Sequence, residues 1–135
     1  MYAIKVEVGN PNASSWSFKA QKAMYGGKRI AKGDLIFVFA SENEGGPGLI
    51  ARGVVSQAEA IPRKQGIERQ TPRVSVTVTR TGDANRRLGR SELKSFSEWN
   101  DGRPETELNF KFYRQATNKI VSLSEQAATI RLGFF

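Results

Sequence analysis

Between Arg63 and Arg90 the chain carries eight basic residues (Arg63, Lys64, Arg69, Arg73, Arg80, Arg86, Arg87 and Arg90) against two acidic ones, Glu68 and Asp83. This stretch therefore holds +6 of the formal +8 carried by all 135 residues. Seven of the eight cations are arginines, whose planar fork meets two phosphate oxygens at once. A face of that kind attracts a polyanion, with a merely solubilising surface as the bland alternative. Arg69, Arg73, Arg86, Arg87 and Arg90 are the candidates for phosphate contact. Arg73 shares a strand face with the hydroxyls of Ser75, Thr77 and Thr79, which suits contacts that position a nucleic-acid backbone without reading sequence.

Aromatic residues supply the second chemistry. A base stacked on Trp, Phe or Tyr gains about 1–3 kcal/mol, and a pocket for a flipped base also needs polar groups at its edge. Trp16 stands among Ser14, Ser15 and Ser17, and the stretch KGDLIFVFAS ends in Phe39 and Ser41. Trp16 reads equally as a pocket wall or as the cover of a barrel end. Phe37 reads as core, since runs this apolar are usually buried. Trp99, before Asn100-Asp101-Gly102, is a core cap or a second wall.

Other chemistries are absent. The chain has no histidine and no cysteine, which removes Ser-His-Asp and Cys-His nucleophiles, His-based acid–base work and zinc-thiolate sites. Asp34 with Glu42 or Glu44 is the remaining acid pair, but an Asp in a Gly-Asp turn is expected to cap its own backbone. The expectation is a protein without catalytic residues, metal or cofactor. The same lack of cysteine fits a reducing, cytoplasmic setting. No apolar run reaches eighteen residues, so no membrane partner is expected, and the charged start MYAIKVEV does not read as a signal peptide.

The elements that must position these residues follow from periodicity. Residues 2–8 alternate Ile4, Val6 and Val8 with Lys5 and Glu7, predicting a strand with one wet face. ASSWSFKAQKAMYGG predicts a short helix from Ser14 or Ser15 to Tyr25, stopped at Gly26. LIFVFAS predicts a strand buried on both faces. SENEGGPG predicts a loop that could close over the barrel mouth. GLIARGVVSQAEAI predicts a strand with a bulge or close approach at Gly53. Val74, Val76 and Val78 alternate with Ser75, Thr77 and Thr79 in a further strand. A short helix is expected near 91–100, a strand over 108–113, another over NKIVSLS, and a last helix capped by Ser124. Five or six strands without a βαβ rhythm predict one α+β domain over 1–135, a small bent, mainly antiparallel β-barrel with flanking short helices.

The order Trp16, Lys32-Gly33-Asp34, an aromatic strand ending in Ser41, a glycine-containing loop, and Gly48-Leu49-Ile50-Ala51-Arg52-Gly53-Val54-Val55 resembles the PUA-like superfamily, its EVE-type domains above all. LGRSELK and IVSLSEQAATI are similar to the second half of such domains. The resemblance implies a bent barrel that binds nucleic acid, DNA or RNA, with EVE and YTH relatives holding a flipped, modified base in an aromatic pocket. By position it implies a base pocket of Trp16, Phe18, Phe39, Ser41 and Trp99. The chain departs from the family pattern where Phe39 replaces a tyrosine, and where IPRKQG replaces an acidic link. The leading reading is therefore a non-catalytic nucleic-acid-binding domain. Its alternatives are an enzyme or nucleotide binder using the same pocket, and an accessory protein-interaction module.

Overall fold

The computed structural model describes residues 1–67, 69–115 and 117–135, with the side chains of 130–132 outside that description. Six strands form the molecule's frame: β1 (Tyr2–Val6), β2 (Ser15–Met24), β3 (Leu35–Ala40), β4 (Gly48–Ala60), β5 (Arg73–Asp83) and β6 (Lys119–Ser122). They close into a barrel in the order β1-β3-β4-β5-β2-β6. Four pairings are antiparallel, and β1–β3 and β2–β6 are parallel. Three helices, α1 (Arg90–Leu93), α2 (Pro104–Phe112) and α3 (Glu125–Leu132), flank it. Among the described residues no helix is long and apolar enough to cross a membrane.

The β3 run explains the layering. Its period-2 alternation sends Ile36 and Val38 inward, to a cluster that also holds Ile4, Trp16, Val76 and Ile120. Phe37 and Phe39 point outward, where Leu93 of α1, Leu108 and Phe112 of α2, and Ala127 of α3 cover them. A strand apolar on both faces is thus buried on both faces, as its composition demands. Gly53 sits at a register shift in β4, where a Cβ would lie 2.5 Å from the Thr79 carbonyl oxygen. The close approach read from the sequence is present there.

Two expected elements are different. Residues 15–24 form a strand, not a helix: Trp16 and Phe18 are buried between exposed Ser15, Ser17 and Lys19, the period of a pleated ribbon. The helix-favouring KAQKA is overridden by pairing with β5, and the register slips between Phe18 and Gln21 at Ala20, whose φ is +50°. Residues 108–112, expected as a strand, belong to α2. Pro104 opens that helix, Glu105 and Glu107 occupy its first turn, and Thr106, Leu108, Asn109 and Phe112 are buried at helical spacing. Proline at the first position and acids at the positive end favour a helix start. The helix near 91–100 shrinks to α1. The last helix is as expected, with the Ser124 hydroxyl accepting the Ala127 N–H at 3.2 Å.

Candidate functional site

A groove of about 510 Å³ opens at one end of the barrel. Pro11 and Asn12 of the β1–β2 loop form one wall, and Pro47, Leu49 and Ile50 at the start of β4 form another. Arg80 and the segment from Asp83 to Arg87, at the end of β5, complete it. Arg80 is fully engaged in building this mouth. Its Nε donates to the Ala13 carbonyl at 2.8 Å, its fork reaches the Pro11 carbonyl and the Asp83 carboxylate, and its guanidinium stacks 4.6 Å from the Trp16 ring centre. Trp16 in turn donates its indole N–H to the Asn10 carbonyl at 2.9 Å. Arg86 lies on Phe134, 4.6 Å from the ring centre, and lines the groove. Arg87 is exposed. The groove therefore sets two exposed arginines beside apolar walls, with its one described carboxylate, Asp83, held by Arg80.

A second polar cluster lies under the C-terminal end of α2. Lys5 and Lys119 face each other across β1 and β6, and both are 0% exposed. Lys5 Nζ donates to the Phe112 carbonyl at 2.8 Å and sits 5.0 Å from the Tyr113 ring centre. Burial, then the Lys119 charge, lowers Lys5 from 10.5 to about 8. Burial, then the charge of Lys22, lowers Lys119 as well. The Glu42 carboxylate accepts the Tyr113 hydroxyl at 3.0 Å and the Arg90 N–H at 2.6 Å, while burial first and Glu42 second raise the Tyr113 phenol. Ser41 is 1% exposed, and its hydroxyl has no partner among the described residues.

The residues singled out in the sequence fall into different places. Trp16 and Phe18 are inside the barrel, stacked with ring centres 6.3 Å apart. Phe39 is in the outer layer against Phe112, at 5.1 Å. Trp99 is 42% exposed on the far side of α2, against Phe110 at 5.5 Å. These aromatics do not converge, because period-2 alternation assigns Trp16 and Phe39 to opposite faces of the barrel wall. The arginines also divide. Arg86 and Arg87 line the groove, and Arg73 lines a concavity at the opposite end of β5. Arg69 is exposed in the connector beside that concavity. Arg90 turns to Asn43, at 2.7 Å, and to the Tyr113 ring.

Asp34 accepts the Ala31 N–H at 2.8 Å within its own turn. It precedes β3 and Glu42 follows it, so the two carboxylates stand at opposite ends of that strand and share no site. The loop at 41–48 is tied down through Glu42 and through Gly46 N–H to the Ser41 carbonyl, 2.8 Å. The buried lysines are the polar feature that the sequence does not announce. Alternation places Lys5 on a face that would be wet in an isolated sheet, and only the packing of α2 covers it.

No family model and no curated sequence matches the chain. Solved structures do. The DUF55 domain of human thymocyte nuclear protein 1 superposes with a TM-score of 0.65 at 14% identity, covering 98% of this chain and 96% of that one. Human THYN1 protein, solved in complex with 5-methylcytosine-containing DNA, gives 0.67 at 14% identity over 98% and 95%. A Pseudomonas putida protein gives 0.65 at 12% identity over 98% and 97%. The closed, mixed six-stranded barrel is the EVE-type, PUA-like fold that the sequence resembles.

Proposed function

We propose that the chain binds nucleic acid at the barrel-end groove and takes an extruded, modified base into it. The carrying observation is the groove itself: Arg86 and Arg87 at its rim, Leu49, Ile50, Pro11 and Pro47 as apolar walls, and the amides of Asn12 and Asn85 within it. Arginine forks suit phosphates. Apolar walls suit a base face and a methyl substituent, and side-chain amides suit a base edge. The shared fold of a protein solved with 5-methylcytosine DNA supports the same reading. In it Trp16 does not touch the base; it props Arg80, which fixes the groove's wall. Phe39 and Phe18 pack, and Ser41 is buried outside the groove's lining.

Fluorescence titration of a labelled duplex, with and without one 5-methylcytosine, tests this across a salt series. Affinity is expected to fall steeply with salt. Replacing Arg86 and Arg87 by alanine is expected to lower the slope of log affinity against log salt by about 2, near 0.9 for each phosphate no longer neutralised. Binding that ignores salt, or an unchanged slope in that variant, would overturn the reading.

A further inference from the structure

The basic stretch is not one face but two cationic sites at the two ends of β5. At its start, a concavity of about 250 Å³ is lined by Lys22, Arg63, Lys64 and Arg73, with no carboxylate among its described lining residues. It is built on paired backbone. The Gln70 side chain accepts the Lys64 N–H at 2.9 Å and donates to the carbonyls of Lys64, at 2.6 Å, and Ile67, at 3.0 Å. Ile61 N–H donates to the Arg73 carbonyl at 2.9 Å, and Ala23 N–H to that of Pro72 at 2.8 Å. Arg73 uses one donor on the Ala20 carbonyl, 2.7 Å away, and keeps the rest of its fork.

Between this concavity and the groove runs a polar trough with Ser17, Lys19, Ser75 and Thr77 on its walls, and Glu59 as its one acid among the described residues. Ser17 and Thr77 pair across it at 3.3 Å. From Arg73 to Asp83 β5 advances ten residues, at most roughly 33 Å along its length at 3.3 Å each. One turn of duplex DNA is about 34 Å.

We propose that the Lys22–Arg63–Lys64–Arg73 concavity is a second phosphate site, which holds the backbone of a duplex one helical turn from the groove. This rests on the groove reading and specifies its ligand: a double helix of about ten base pairs or more, lying along the trough. A single strand has no fixed repeat to match that spacing.

The test compares duplexes of about 6 and about 12 base pairs, each carrying one 5-methylcytosine, and a 12-nucleotide single strand. They are titrated against the wild type and the double variant Lys22→Glu/Lys64→Glu, with thermal unfolding to confirm an intact fold. Lys64 is exposed and Lys22 half-buried. The wild type is expected to bind the longer duplex at least tenfold more tightly than the shorter, with a salt slope larger by about 2. The variant is expected to bind the longer duplex no better than the shorter, and the shorter as the wild type does. Equal binding of both lengths, a variant unaffected on the long duplex, or a single strand matching it would overturn the second site while leaving the groove standing. Loss of all binding in the wild type would overturn both.

Discussion

Lys5 and Lys119 show what one residue at a time can do to stability. Two ammonium groups opposite each other in a buried layer, with no carboxylate within ion-pair distance among the described residues, are unfavourable in their charged forms. In the folded chain Lys5 loses its proton near pH 8, and in the unfolded chain near 10.5. Between those values the unfolded state binds more protons, so stability rises with pH; below about 8 both states are charged and the penalty is constant. The full effect is about 3 kcal/mol at 1.36 kcal/mol per pH unit. Above pH 10 the raised Tyr113 phenol reverses the trend, since the unfolded tyrosine ionises first. Urea unfolding from pH 7 to 10 is expected to show the rise in the wild type and a flatter profile in Lys5→Met; parallel profiles would refute it. Ser41 makes a simpler case. Its hydroxyl is buried without a partner among the described residues, so Ser41→Ala is expected to leave stability unchanged or raise it by about 1 kcal/mol. A decrease above 1 kcal/mol in the same assay would count against the orphaned hydroxyl.

At the scale of the element, much was legible where one pattern had one solution. The two-faced apolar run of β3, the valine alternation of β5 and the bulge at Gly53 all follow from the residues themselves. Residues 15–24 and 104–112 were not legible for one shared reason. SWSFKAQKAM carries strand alternation in its first half and helix-forming residues in its second, and NFKFY alternates although it sits on a helix. In both, the partner across the sequence decides: β5 extends the first, and the outer face of β3 receives the second. The Arg cluster was legible as charge but not as two sites, because strand length alone separates Arg73 from Arg86. Gly48 is where the start of β4 packs against the 85–89 segment. Its φ is +89°, and a Cβ there would lie 2.4 Å from the Leu88 carbonyl oxygen, while its neighbour Leu49 donates its N–H to that same oxygen at 2.8 Å. Gly48→Ala is expected to cost about 1–3 kcal/mol and to weaken oligonucleotide binding by displacing the 85–89 segment that carries Arg86 and Arg87. A folded variant with wild-type stability would show that the segment does not rest on this glycine.

The whole molecule carries +8, and among its described residues Arg80 pairs with Asp83 and Lys111 with Glu107. An excess of eight positive charges repels itself in the folded chain. Residues 63–90 hold +6 of it, with Arg63, Lys64 and Arg73 at one end of β5 and Arg80, Arg86 and Arg87 at the other. Salt shortens the reach of such repulsion to about 8 Å at 0.15 M. The same salt competes with any polyanion by restoring its counterions. The two effects have opposite signs in one protein. Raising salt from about 0.02 to about 0.3 M, a span over which exposed charges become largely screened, is expected to raise the thermal midpoint of the free chain by a few degrees. The same change is expected to loosen the nucleic-acid complex by orders of magnitude. Thermal unfolding with and without duplex, at both salts, reads the two together: the curves should converge as salt rises, the free one moving up. A free-chain midpoint that falls with salt would mean that attraction, not repulsion, dominates the surface, and that the basic stretch is neutralised within the fold instead of held open for a partner.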